Sequence, residues 1–195
     1  VFAFSVVIFI FAYIASSSHA RATNTQPIIN ISNIEQVIDV GNNSQSIRDD
    51  QDRQLSEIIH YPDWEQTWST VPLDTDEKIW IRARVQNGLP SKETFYLTIA
   101  EHSLDIVDVF ILDDLERITH SYLTGADRDY GLRAIKHRHF ILPFTLEAGD
   151  EVSIYLRIQD TAPLLMPIKI WPAQRWISIC LLYTTDPART PGECS

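Results

Sequence analysis

Between residues 78 and 171 apolar and polar side chains alternate with a period of two. In the first run Ile79, Ile81, Ala83 and Val85 fall on one side, and Trp80, Arg82, Arg84 and Gln86 on the other. Successive side chains of a strand point to opposite faces, so this run reads as a half-buried strand. The turn signal Asn87-Gly88-Leu89-Pro90 ends it. Phe95, Leu97 and Ile99 alternate with Tyr96, Thr98 and Ala100 in the next strand. Residues 106–112 (IVDVFIL) are almost continuously apolar and rich in β-branched types, which predicts a central strand. Asp113-Asp114 predicts a turn, with a strand over 117–123 beyond it. Residues 125–131 read as a polar loop, and 137–144 (HRHFILPF) as another strand. A turn at 147–150 (EAGD) leads into the cleanest alternation of all, Val152, Ile154, Leu156 and Ile158 against Ser153, Tyr155, Arg157 and Gln159. Residues 166–171 (MPIKIW) close the pattern.

The front of the chain is less regular. Residues 34–40 predict a first strand, and 41–53 a long polar loop with a helical turn. Residues 55–68 carry Leu55, Ile58, Ile59, Trp64 and Trp68, as in a short amphipathic helix or an irregular wrap beneath a sheet. Six or seven short strands joined by turn chemistry, with no sustained helical period, predict an all-β fold: a jelly-roll-like antiparallel sandwich.

Composition narrows the function classes. Charged residues make up 22% and hydrophobic ones 45%, which suits one packed domain. The formal net charge of −10 repels phosphate backbones, so a nucleic-acid partner is not expected. Residues 1–15 are almost wholly apolar, and Ser18 and Ala20 fit the small-x-small rule for signal peptidase. Residues 1–20 therefore read as a signal peptide whose start is cut short, and 21–30 as a leader. Residues 31–172 form the exported sandwich. Residues 173–195 begin a linker and end in a tail, 180–195, where Cys180-Leu181-Leu182-Tyr183-Thr184 resembles a translated library adaptor rather than native sequence. The two cysteines, Cys180 and Cys194, both lie there, so the sandwich must hold together without disulfides.

No catalytic signature stands out. There is no phosphate-cradling glycine loop and no nucleophile elbow. The pairs Asp49-Asp50 and Asp113-Asp114 fit turns better than a carboxylate pair set across a substrate. His137 and His139 would share a strand face and could chelate a metal, but no third ligand is evident, so no metal or cofactor is implied. The candidate binding surface is the polar strand face: Trp80, Arg82, Arg84, Tyr155 and Arg157. Aromatic rings there could stack on a sugar and Arg forks could bond hydroxyls or carboxylates. Asp127 and Arg133, near the 125–131 loop, are added because sandwich-end loops often carry recognition. Packing of these side chains beneath loops is the competing reading. Trp64, Trp68 and Trp171 read as packing residues.

The order of these pieces resembles a family. Trp80-Ile81-Arg82-Ala83-Arg84-Val85-Gln86-Asn87 comes first, then the strand 95–100, then Leu104-Asp105-Ile106-Val107-Asp108-Val109-Phe110-Ile111. A glycine-containing loop follows, 125–133, then Phe140-Ile141-Leu142-Pro143-Phe144, Ile154-Tyr155-Leu156-Arg157-Ile158, and a Pro-x-x-x-Trp closure at 167–171. Together they resemble the second extracellular sensor class of bacterial seven-transmembrane receptors with diverse intracellular signalling modules. That resemblance implies a jelly roll similar to carbohydrate-binding modules. It also implies seven transmembrane helices followed by a histidine kinase, diguanylate cyclase or related output, none of which the chain reaches. The expectation is a non-enzymatic, periplasmic ligand-sensing ectodomain, anchored in the inner membrane in its full-length form. Its partners would be a carbohydrate or other small molecule, its own transmembrane region and, as an open option, a second copy in a homodimer. Two alternatives stay open: a free periplasmic carbohydrate-binding module, and a jelly-roll glycosidase or lyase.

Overall fold

The computed structural model describes residues 26–67, 70–71, 77–160, 164–165 and 167–185. In chain order its strands are β1 (Ile28–Ile31), β2 (Ile38–Asp39), β3 (Gln45–Asp49), β4 (Glu65–Gln66), β5 (Thr70–Val71), β6 (Lys78–Asn87) and β7 (Glu93–Ile99). They continue with β8 (Ile106–Leu112), β9 (Ile118–Thr124), β10 (Phe140–Leu146), β11 (Glu151–Gln159), β12 (Leu164–Leu165) and β13 (Ile168–Pro172). Helix α1 (Leu55–Ile58) is a single turn, and α2 (Ala173–Thr185) follows β13 directly.

The alternating run at 78–87 becomes the longest strand, β6, and it organises the larger sheet. That sheet has the order β4-β3-β6-β11-β8-β9. β6 is long enough to hold two partners on one edge. β3 lies antiparallel against its first half, Gln45 opposite Arg82 and Asp49 opposite Lys78. β1 lies parallel to its second half, Ile28 opposite Arg84 and Ile31 opposite Asn87. The smaller sheet has the order β10-β7-β13-β2, and β5 pairs with β12 apart from both. All pairings except β1–β6 are antiparallel.

The apolar faces of the two sheets meet in one core. Ile79, Ile81, Ala83 and Val85 from β6 and Ile154, Leu156 and Ile158 from β11 pack there with Phe95, Leu97, Phe140 and Phe144 of the smaller sheet. This is the all-β sandwich that the period-two pattern predicts. A second, smaller core lies on the opposite side of the larger sheet, where Ile47, Ile58, Trp64, Trp80, Leu112 and Tyr155 cluster.

Asn87 locks one end of the sandwich. Its side chain is fully buried, and its amide nitrogen donates to the carbonyls of Ser91, Leu146 and Glu147 at 2.9, 3.1 and 2.9 Å. Its side-chain oxygen accepts the Leu89 N–H at 3.1 Å, and its backbone exchanges bonds with Asp150 and Gly149. One residue thus ties the β6–β7 turn to the β10–β11 turn. A Cβ at the next residue, Gly88, would lie 2.0 Å from the Asn30 side-chain oxygen, so a larger residue there would displace the Asn30 side chain.

Several elements depart from the sequence reading. The first strand is Ile28–Ile31, inside the stretch read as leader, and of residues 34–40 only Ile38–Asp39 is strand. The polar segment 41–53 contains β3 rather than a loop alone. Its strand signal is hidden because its buried side chains include polar Gln45, Ser46 and Asp49, satisfied by hydrogen bonds rather than by apolar packing. Asp49 ends β3, and its carboxylate accepts the Gln51 and Arg53 N–H groups at 3.3 and 2.8 Å, so it shapes the turn that the sequence predicts there. Of the two readings of 55–68, the irregular wrap is the nearer: only Leu55–Ile58 is helical, and Ile58 and Trp64 pack against the larger sheet. The strand expected over 117–123 runs from Ile118 to Thr124, and the one expected over 166–171 from Ile168 to Pro172. The strand expected from residue 137 begins at Phe140. The residues 173–179, read as linker, are helical, and Trp176 of α2 packs edge-on to Trp171 with ring centroids 5.3 Å apart. Trp68 and the 1–20 segment lie outside the described residues.

His137 and His139 therefore do not project from a common strand face. They sit in the bend before β10, with the His139 N–H donating to His137 Nδ1 at 3.0 Å and the rings 5.1 Å apart. Burial holds the His139 imidazole below its ordinary value of 6.5, helped by the positive charge of Arg138. A depressed imidazole binds its proton less tightly in the folded chain than in the unfolded one. Its stabilising contribution is complete above pH 6.5 and fades as pH falls through the depressed value. Urea denaturation at pH 7 and pH 5 should show lower stability at the acid end. The His139→Gln variant should show a shallower loss; an unchanged slope would assign the acid lability to other groups.

Candidate functional site

The polar side of the larger sheet is built in rows that the register fixes. Trp80, Arg157 and Asp108 lie side by side on β6, β11 and β8. Arg82, Tyr155 and Phe110 form the next row, and Arg84 and Ser153 the one after. The sequence places the candidate residues together correctly, yet most of this face is not open. The segment 51–67 folds over it. Trp80 is 1% exposed and donates from its indole N–H to Asp49 Oδ2 at 3.1 Å. Tyr155 is 6% exposed, and burial pushes its phenol up, partly offset by the Arg82 guanidinium beside it. Arg82 bonds Gln45 Oε1 through two nitrogens at 2.9 and 2.7 Å and lies over the Trp64 ring. Burial holds its guanidinium below the ordinary value. Trp80 and Tyr155 belong to the second core, with Arg82 against its Trp64, rather than to an open platform, because the polar segment ahead of β6 carries enough apolar groups, Leu55, Ile58, Ile59 and Trp64, to cover them.

Arg157 belongs to a charge network. Its Nε and Nη2 donate to Asp108 Oδ2 at 3.0 and 2.6 Å, and its Nη1 stands 3.7 Å from Asp52. Arg128 bonds the other oxygen of Asp108, and Lys78 lies 2.5 Å from Asp52. Asp108 is 1% exposed. A buried carboxylate needs this degree of pairing to stay ionised without a large penalty. Arg133 acts elsewhere. Its Nη1 donates to the carbonyls of His137 and Arg138 at 2.5 and 2.7 Å, stapling the bend before β10. Asp127 is exposed, and its N–H donates to the Asp105 carbonyl at 3.1 Å. Neither lies with the strand-face residues.

Arg84 is the member of the set that opens on a polar cavity. This cavity, of about 690 Å³, lies between the β8–β9 turn and the β10–β11 turn. Arg84 donates through Nε to Glu151 Oε1 at 2.8 Å. Across the cavity Arg117 donates through Nε to Asp113 Oδ2 at 2.8 Å. The Arg117 guanidinium holds the Asp113 carboxyl below the usual carboxylate range, and Asp113 in turn raises Arg117. Gln86, Asp114, Thr119 and Asp150 complete the polar lining. Two guanidinium–carboxylate pairs set beside amide and hydroxyl groups offer donors and acceptors side by side. With Arg84 and Arg117 set against Asp113, Asp114, Asp150 and Glu151, the lining carries a net negative charge. Such a wall repels anions and suits neutral hydroxyl-bearing ligands.

Sequence reasoning found the turns at 113–114 and 147–150 but not their meeting. Only the sheet order, which sets β8 beside β11 and β11 beside β6, brings them to one cavity. Asp108 was also missed as a structural centre. The signal was present: it is the one charge in the apolar strand 106–112, and such a charge demands partners.

Among the described residues no group of three or more His, Cys, Asp or Glu side chains is arranged to hold a metal ion. No described helix is long and apolar enough to cross a membrane. No curated protein matches the chain. The family described as 7TMR-DISM extracellular 2 matches residues 42–172, from the turn before β3 to the last residue of β13. The match takes in both sheets apart from β1 and β2, the second core, the Asp108 network and the polar cavity. Since it spans well over half of the sequence, the chain belongs to the 7TMR-DISM extracellular 2 family, an extracellular sensor domain of receptors.

Proposed function

We propose that this domain senses a neutral carbohydrate or similar polyhydroxyl molecule on the periplasmic side of a bacterial inner membrane, and that the ligand binds in the polar cavity beside Arg84. The observation that carries this reading is the cavity wall itself. Paired Arg84–Glu151 and Arg117–Asp113 present fixed forks of donors next to acceptors, which match vicinal hydroxyls. The net negative wall disfavours phosphates and organic acids. The apolar run at 1–15 and the family support the location.

The test is ligand-dependent thermal stability of the full chain. A sugar present at 100 times its Kd should stabilise the fold by about 2.7 kcal/mol. A panel of neutral mono- and oligosaccharides should contain stabilisers, and Arg84→Ala should abolish their effect. Stabilisation by phosphate or dicarboxylates, with none by any neutral sugar, would overturn the proposal.

A further inference from the structure

The bend before β10 and the start of α2 meet through aromatic rings. Trp176 stands edge-on to three of them, with centroids 5.3 Å away at Trp171, 6.2 Å at His137 and 6.4 Å at Tyr96. Of the three, only the His137 ring can change charge between pH 5 and 8.

One bond fixes where the His137 proton sits. Its Nδ1 accepts the His139 N–H at 3.0 Å, and a ring nitrogen that accepts carries no proton. A second proton on this imidazole would set N–H against N–H. The ring must then give up the bond or turn about its Cβ–Cγ axis, and either movement disturbs its contact with Trp176. The backbone cannot follow the ring freely, because Arg133 Nη1 holds the carbonyls of His137 and Arg138 at 2.5 and 2.7 Å. The surrounding charges add to the cost. Arg133, Lys136 and Arg138 belong to the same bend, and the His139 ring lies 5.1 Å from that of His137. His102 and Glu101 face His139 from the loop after β7, but Glu101 is bonded to Ser103 at 2.7 Å. Lys169 of β13 lies over the Trp171 ring, and Arg175 of α2 is paired with Glu35 at 3.1 Å.

We infer that His137 is an acid-sensitive latch: its neutral imidazole holds the start of α2 against the smaller sheet, and its protonation lets that helix go. α2 continues directly from β13, so the latch acts at the exit of the sandwich. It shares no residue with the cavity beside Arg84, so the inference does not depend on the carbohydrate reading.

The experiment is amide hydrogen exchange of the full chain, read by mass spectrometry at pH 7.5 and pH 5 and corrected for intrinsic exchange rates. Protection of residues 174–179 should fall by about five-fold or more at the lower pH, the scale of one lost hydrogen bond. Protection of β6 and β11 should fall less, which separates release of the helix from weakening of the whole fold. Two variants remove the proton site in different ways. His137→Phe keeps a ring against Trp176, and His137→Asn keeps an oxygen for the His139 N–H. In both, protection of 174–179 should no longer respond to pH, whereas His139→Gln should keep the response. The inference is overturned by an unresponsive wild type, by a response that survives in either His137 variant, or by one that vanishes only in His139→Gln. Stronger protection of α2 in acid, as a cation–π hold of the protonated ring on Trp176 would give, also overturns it.

Discussion

Replacing Asp108 with alanine is expected to destabilise the domain by about 3–5 kcal/mol, the cost of breaking a buried ion pair from one side. Asp108 sits in β8 with Val107 and Val109 buried on the other face. Its two oxygens are divided between Arg128 and Arg157. Removing the carboxylate strands two guanidinium groups whose side chains are only 25% and 24% exposed. The damage would spread, because Arg157 also lies over the Trp80 ring, the centre of the second core. Urea denaturation monitored by tryptophan fluorescence measures the loss. The thermal midpoint should fall by roughly 10 °C or more. Asp108→Asn should recover little, since an amide keeps the shape but not the charge that both arginines need. A loss below about 1 kcal/mol would mean that water satisfies the arginines and that the network is not structural.

Asn87→Ala should cost about 3 kcal/mol, approaching the same scale by a different route. No charge is involved. The variant removes a fully buried amide that serves three carbonyls and one N–H, the Leu146 carbonyl among them buried. Each buried group left without a partner carries its own desolvation penalty. Asn87→Asp is the sharper test. A carboxylate has no hydrogen to offer, and it would face the carbonyls of Ser91, Leu146 and Glu147 with like partial charge. The Asp variant should therefore be no more stable than the Ala variant in urea. If Asn87→Asp matched wild type, the join between the two turns would have to rest on the backbone bonds to Gly149 and Asp150 alone.

The strands whose two faces differ were the ones legible in the sequence. β6, β7 and β11 alternate because one face meets the main core, and the alternation survives in the letters Ile79 to Val85 and Val152 to Ile158. β3 was hidden because its inward groups are polar and are satisfied by Arg82 and Trp80, which no local pattern reports. β1 was hidden for another reason. It is four residues long and gains its place from a parallel pairing with a strand more than fifty residues away. The candidate site divides in the same way. Trp80, Arg82, Arg84, Tyr155 and Arg157 do share one side of one sheet, as period two requires. Whether that side faces solvent depends on what folds over it, and the apolar pattern of Leu55, Ile58, Ile59 and Trp64 marks a covering segment without saying which strands it covers. Arg84 escapes cover because it lies two residues further along β6 than Arg82 and opposite β1, beyond the reach of the second core.

The junction after β13 has a mechanical meaning. Pro172 ends a strand and Ala173 starts a helix with no residue between them. Trp176 is wedged against Trp171, with His137 and Tyr96 at its sides. Such a join has no slack in which to lose a displacement. The part of the helix ahead of the adaptor-like tail, 173–179, is about 10 Å long, so a tilt of about 10° at the tryptophan contact would carry its end by roughly 2 Å. The smaller sheet and the start of α2 are thus joined directly, with the indole rings of Trp171 and Trp176 at the corner.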